Sequence, residues 1–145
     1  MNVRLADAGD FEAVTALLEE LGRAKVTDGT RDLCRAIFQE HVADGEAAHL
    51  VVEGEGEVIG FASLHFRERL NHPTPDAWIP DLIVSERARR RGVARTLLEE
   101  AELRARSRGC WALTLESGYS RTEAHRLYEA FGMTDLGKYF GKSLQ

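Results

Sequence analysis

Cysteine is scarce in this chain: Cys34 and Cys110 are the two in 145 residues, and neither has a near neighbour of metal-ligand type. That leaves no disulfide framework and no zinc-binding spacing, so no metal is expected. No apolar run reaches the length that spans a bilayer, and the start lacks a basic stretch followed by an apolar one. A membrane or secreted protein is therefore not expected. Positive charge is not in excess either: 19 Lys plus Arg against 24 Asp plus Glu give −5, which repels a nucleic-acid backbone. There is no G-x-G-x-x-G, no Gly-Lys-Ser/Thr phosphate loop, no internal repeat and no low-complexity stretch.

The composition that remains is ordinary, with 43% hydrophobic and 30% charged residues. At this length a chain builds a core without staples, so residues 1–145 are expected to form one cytoplasmic globular domain. Asn2–Ala6 alternates like a short strand. Asp10 stands as an N-cap before Phe11, Val14, Leu18 and Leu21, which share one helical face ending at Gly22. Residues 23–32 read as a loop, and Asp32 to Val42 as a helix with Leu33, Ile37 and Phe38 inward. The period then changes to strands over 49–53 and 58–66, joined by the hairpin turn Gly54-Glu55-Gly56-Glu57. After a surface loop, the apolar run 78–84 contains Pro80, which cannot donate to a ladder and predicts a bulge or splay there. A helix from Ala94 to Gly109, a strand over 111–116, a helix over 121–131 and short strands around 133–136 and 138–144 complete a mixed α/β domain.

Chemistry concentrates where the strand Leu82-Ile83-Val84 runs into a basic, glycine-containing turn that opens a helix. Backbone N–H groups at a helix start are unpaired, and the helix dipole adds positive character there. Gly92 and Ala94 are small enough to let a ligand approach the main chain. Five arginines lie between positions 87 and 95 of an otherwise acidic protein. Together, Arg89, Arg90, Arg91, Gly92, Val93, Ala94 and Arg95 describe a cradle for a pyrophosphate or similar anion. The competing reading is a solvated loop whose arginines only aid solubility and helix entry.

Arg89-Arg90-Arg91-Gly92-Val93-Ala94 resembles the (Gln/Arg)-x-x-Gly-x-(Gly/Ala) signature of the GNAT superfamily of N-acetyltransferases. The opening Val3 to Asp10 looks like that family's first strand and turn. Ala124-His125-Arg126-Leu127-Tyr128-Glu129-Ala130-Phe131-Gly132 looks like its last helix, so the likeness covers essentially the whole chain. The resemblance implies a mixed, mostly antiparallel central sheet, splayed between its fourth and fifth strands and flanked by helices. It implies that acetyl-CoA is bound by the cradle, with the pantetheine arm pairing along Leu82, Ile83 and Val84. Arg121 stands where many relatives carry a cofactor-contacting asparagine, and Met133 where they carry an aromatic residue.

By the same resemblance, an amine attacks the acetyl thioester directly. Tyr128 matches the tyrosine that protonates the departing sulfur, against the alternative of a helix tyrosine merely packed on Ala124. A backbone N–H near Ile83 or Val84 serves the oxyanion. Asp81 is the first candidate base, directly or through water, and His65 the second; each also has a structural reading, at the Pro80 bulge and on its strand. The acceptor pocket is expected from the loop between the first two helices and residues 65–80, with Asp28, His65, Arg67, Trp78 and Asp81 as substrate-binding residues. The subfamily it most resembles is the aminoalkylphosphonate N-acetyltransferases, so a small-molecule primary amine is the expected partner. A protein lysine or N-terminal acetyltransferase and a non-catalytic CoA-binding module are the alternatives, and relatives are often homodimers.

Overall fold

The hairpin turn forms as its sequence predicts. Glu55 and Gly56 both take left-handed backbone conformations, φ 55° and 79°, which returns β2 (Leu50–Gly54) along β3 (Glu57–Ala62). The computed structural model describes residues 1–23 and 25–145. They form two compact units, residues 1–114 and 115–145.

In the first unit β1 (Asn2–Leu5), β2, β3 and β6 (Leu82–Val84) form an antiparallel sheet in the order β1-β2-β3-β6. A second sheet has the order β4-β5-β7, with β4 (His65–Arg67), β5 (Asp76–Ile79) and β7 (Leu113–Leu115). Each of two expected strands is thus cut in two. The run 58–66 breaks at Ser63-Leu64 and the run 78–84 at Pro80-Asp81, and their halves belong to different sheets. The breaks are stitched to each other: Ser63 N–H donates to Asp81 O at 3.0 Å, and Asp81 N–H donates to Ser63 Oγ at 2.8 Å. Proline's missing donor makes 80 the natural place for the ladder to part. The expected splay is therefore present, with β6 and β7 in separate sheets.

Helices α1 (Phe11–Glu20) and α2 (Arg31–Ala43) place Phe11, Val14, Leu17 and Phe38 in one core with Val51, Phe61 and Ile83. Two expectations are corrected here. The cap of the first helical segment is Asp7, whose side chain accepts from Gly9 N–H at 2.8 Å. Asp10 instead accepts from Asp7 N–H and forms a two-pronged pair with Arg4, at 2.8 and 2.9 Å, which holds its carboxyl below the usual range. In α2, Leu33 and Ile37 are exposed, because the helix turns Cys34, Phe38 and Val42 to the core.

Helix α3 (Val93–Ser107) buries Val93, Leu97, Leu98, Ala101 and Ala105. It can sit close because position 60 has no side chain: a Cβ there would lie 2.7 Å from Val93 Cγ1 and 3.3 Å from Leu97 Cδ1. The second unit holds α4 (Thr122–Ala130) and the segment after it. The strands expected around 133–136 and 138–144 do not form. Leu136, Tyr139, Phe140 and Leu144 are 73–91% exposed, and Gly137 at φ 150° interrupts the run. Strand character needs a hydrogen-bonded neighbour, and this segment has none among the described residues.

Gly60→Ala forces a clash at the joint that seats α3. Urea unfolding is expected to show a loss of about 1–3 kcal/mol at unchanged m-value. A midpoint equal to wild type would mean that α3 can slide away from β3 freely.

Candidate active site

The turn between β6 and α3 carries the cradle. Arg90 and Gly92 both have left-handed backbones, φ 64° and 79°. For a bulky residue such as Arg90 that conformation costs about 1 kcal/mol or more, and strain of this kind collects at functional turns. Gly92 is the N-cap of α3 and supplies no side-chain cap, and the first turn of the helix contains no acidic residue. The N–H groups of Val93 and Ala94 thus receive no side-chain cap and suit an anionic ligand. A Cβ built on Gly92 meets nothing within 4 Å, so there is open space over the main chain. Arg89, Arg90 and Arg91 are exposed around it, while Arg95 is paired with Glu99 at 2.9 Å.

The register of β6 determines which of its amides are free. Ser63 N–H bonds Asp81 O, and Ser85 N–H bonds Ile59 O at 2.8 Å, so positions 81, 83 and 85 turn their polar groups to β3. Antiparallel alternation then directs the N–H and C=O of Leu82 and Val84 to the open edge. Of the two amides considered for the oxyanion, Val84 lies on that edge and Ile83 on the inner side. The edge strand with two outward peptide groups fits an extended amide-bearing ligand, as the cradle fits a pyrophosphate.

Pairing of β4 with β5 sets His65 opposite Trp78 and Arg67 opposite Asp76. Asp76 is 1% exposed, and Arg67 compensates its charge through Nε at 3.1 Å and Nη2 at 2.9 Å while lying 4.6 Å over the Trp78 ring. Asp81 receives Arg23 Nε on one oxygen at 2.9 Å and lies 3.3 Å from Ser63 Oγ with the other.

Behind His65 stand two more histidines. Its ring centroid is 4.9 Å from both His41 and His49, and those two rings are 5.1 Å apart. Burial, reinforced by the two neighbouring rings, pulls His49 down to about 3. Burial and His41 lower His65 as well, with Arg67 adding to the effect, while Asp81 and Asp44 act against it. A second positive charge 4.9 Å from the first costs about 3 kcal/mol at an effective dielectric of 20, which disfavours two imidazolium ions in the cluster. In the second unit Tyr128 is buried on α4; burial raises its pKa and the charge of Arg121 opposes the rise, so the phenol keeps its proton well into the alkaline range.

Residues 12–133 match the Acetyltransferase (GNAT) family. The chain belongs to that family. It is 29% identical over 142 residues to the aminoalkylphosphonate N-acetyltransferase of Salmonella typhimurium, covering 98% of this chain and 90% of that one. The N-acetyltransferase YhfO of Bacillus subtilis is 29% identical over 136 residues, 91% of this chain and 89% of its own. Among solved structures, a putative acetyltransferase from Agrobacterium tumefaciens superposes with a TM-score of 0.86 at 23% identity, over 99% of both chains. That likeness bears on the fold.

GNAT acetyltransferases use acetyl-CoA, and the residues expected to hold it, 82–84 and 89–95, come together at one edge and turn. His65, Arg67 and Trp78 meet on the β4–β5 face, and Arg121 lies within electrostatic reach of Tyr128. Asp28 lies in the exposed turn Thr27–Thr30, and no contact among the described residues links it to the others. Arg67 is committed to Asp76, which makes it a clamp on the β4–β5 pair before it is a ligand for anything else. His41, His49 and Arg23 were not singled out in the sequence. A helix end, a strand start and a loop, separated along the chain, share no motif that could have flagged them.

Arg67→Ala would remove both hydrogen bonds that Arg67 gives the buried Asp76 and leave it only the half-exposed Arg69, at 3.9 Å. Thermal and urea unfolding are expected to show a loss of about 3 kcal/mol or more. Wild-type stability with weakened binding of an anionic acceptor would instead make Arg67 a substrate residue.

Proposed function

We propose that this GNAT protein is an acetyl-CoA-dependent N-acetyltransferase acting on the primary amine of a small molecule, with residues 1–145 working as one catalytic domain. The observation that carries the reading is the pairing of an open β6 edge with an uncapped, arginine-rich helix start across which Gly92 leaves space. Arg89, Arg90, Arg91 and the first amides of α3 hold the pyrophosphate, and Leu82 and Val84 pair with the amide-bearing arm. The acceptor's nitrogen attacks the thioester carbonyl, and the oxyanion takes the Val84 N–H. On collapse the carbon–sulfur bond breaks, and the sulfur takes the Tyr128 proton. Asp81, with both oxygens already engaged, contributes the fixed negative charge that draws in an ammonium group. The relative from Salmonella puts aminoalkylphosphonates first among acceptors to try.

CoA thiol release from acetyl-CoA, measured against aminoalkylphosphonates, polyamines, an aminoglycoside, amino acids and a lysine peptide, tests the reading. Turnover of a small amine is the expected result; turnover of the peptide alone would make it a protein acetyltransferase. No turnover, with acetyl-CoA still binding, would make it a CoA-binding module.

Tyr128→Phe is expected to lower kcat about 100-fold with acetyl-CoA affinity nearly unchanged, and unchanged turnover removes Tyr128 from the mechanism. Because its pKa is raised, the alkaline limb of the wild-type rate profile should not fall below pH 10 on account of this group. Gly92→Val is expected to weaken acetyl-CoA at least tenfold in a binding titration. Unchanged affinity would place the cofactor elsewhere.

A further inference from the structure

Three histidines from three separate parts of the chain meet where no motif predicted them: His41 in the last turn of α2, His49 just before β2, and His65 on β4. Their ligand-type nitrogens all lie within 4.8 Å of one another. Such a group invites a metal reading, and its hydrogen bonds argue for a different one. Leu64 N–H donates to His49 Nδ1 at 3.0 Å, so in neutral His49 the proton is on Nε2. His49 Nε2 faces His41 Nδ1 at 3.1 Å, so it donates there, and His41 in turn carries its proton on Nε2. A backbone amide thereby fixes the tautomers of two rings in series. His49 Nε2 cannot both donate this bond and offer a lone pair to an ion.

The chain of bonds also decides where a proton can be taken up. Protonating His49 destroys the acceptor that Leu64 N–H uses. Protonating His41 puts two N–H groups head to head. His65 is under neither constraint. The charged and titratable groups that face it are His41 and Asp44 from α2 and its end, His49 beside it, Arg67 from its own strand, and Asp81 from the break between β5 and β6. Of these, the carboxylates of Asp81 and Asp44 favour the protonated ring.

We propose that His65 accepts the proton from the acceptor ammonium, and that His49 and His41 are positioning residues whose backbone-anchored hydrogen bonds make His65 the one ring of the three free to do so. This rests on the acetyl-transfer reading above. The ammonium gives one proton to a His65 ring nitrogen, and the freed amine lone pair forms the bond to carbon. Sulfur leaves with the Tyr128 proton, and the second proton shed by the new amide nitrogen restores Tyr128. His65 then releases its proton to solvent, so the sum is amide, CoA thiol and one proton. Asp81 steadies the imidazolium while it exists.

Long-range nitrogen–proton NMR of the ¹⁵N-labelled full-length protein reads the ring states without any turnover. His49 is expected as the Nε2–H tautomer at pH 7 and still neutral at pH 5, titrating after His65, with neutral His41 carrying its proton on Nε2. An Nδ1–H tautomer at His49, or His49 titrating before His65, overturns the chain of bonds. So does stoichiometric binding of Zn²⁺ that removes the His49 Nε2–H signal. In the amine assay, His65→Gln is expected to lower kcat/KM about 100-fold and to remove the acidic limb of its pH profile. Survival of that limb overturns the role of His65. His41→Leu, which removes the acceptor of the His49 Nε2–H, is expected to displace that limb. His41→Gln, which keeps an acceptor for His49, is expected to return it toward wild type. A limb unmoved in His41→Leu makes the pair structural only. If no amine turns over at all, the acetyl-transfer reading fails and the base role with it, while the NMR still reports on the tautomers.

Discussion

The first unit depends on a single break in its hydrogen-bond ladder. Proline at 80 cannot donate, and the two strands that pass this point separate into different sheets. The gap is closed locally by Ser63 and Asp81, each supplying the backbone bond the other needs. This stitch lets the sheet diverge without leaving its polar groups unpaired. The β6 edge and the β4–β5 face both begin at it. On one side β6 ends the first sheet and offers an edge, and on the other β4 and β5 carry His65 and Trp78.

The same break accounts for the character of the β4–β5 face. Asp81 is held inside the stitch, so its carboxylate is fixed by neighbours from a loop and a strand. The histidines lie just beyond Leu64, whose amide anchors the first of them. Ladder, carboxylate and imidazole are thus joined by hydrogen bonds of ordinary length. The cradle is held differently, by strain at Arg90, a missing side chain at Gly92, and the close seating of α3 that Gly60 permits.

Much of this could be read from the sequence because it depends on local pattern. Pro80 announced the splay, Gly92 and the arginines marked the turn that opens α3, and Leu97, Leu98 and Ala101 announced its buried face. The misreadings share a cause in longer-range packing. Asp10 does hold the N-cap position of α1, but Arg4 and the Asp7 N–H claim its carboxylate, and the side-chain cap comes from Asp7 one turn earlier. Leu33 and Ile37 share a helical stripe with Phe38, yet the core lies on the side of Cys34 and Val42. The final apolar segment has strand-like residues and pairs with no strand among the described residues. The histidine cluster is the clearest case, since its members are scattered along the chain and only folding brings their rings into one stack.

Arg67 and Asp76 are the residues at the two ends of the loop 68–75, and their ion pair closes that loop at its base. With its ends clamped and Pro75 O held by Trp111 N–H at 3.0 Å, the stretch 68–74 forms no strand of either sheet. It can change length or composition while β4 and β5 stay in register, because closing a longer loop adds only a small entropic cost. On the acetyl-transfer reading proposed above, a scaffold of this kind can acquire a new acceptor preference through that loop while the β6 edge stays unchanged.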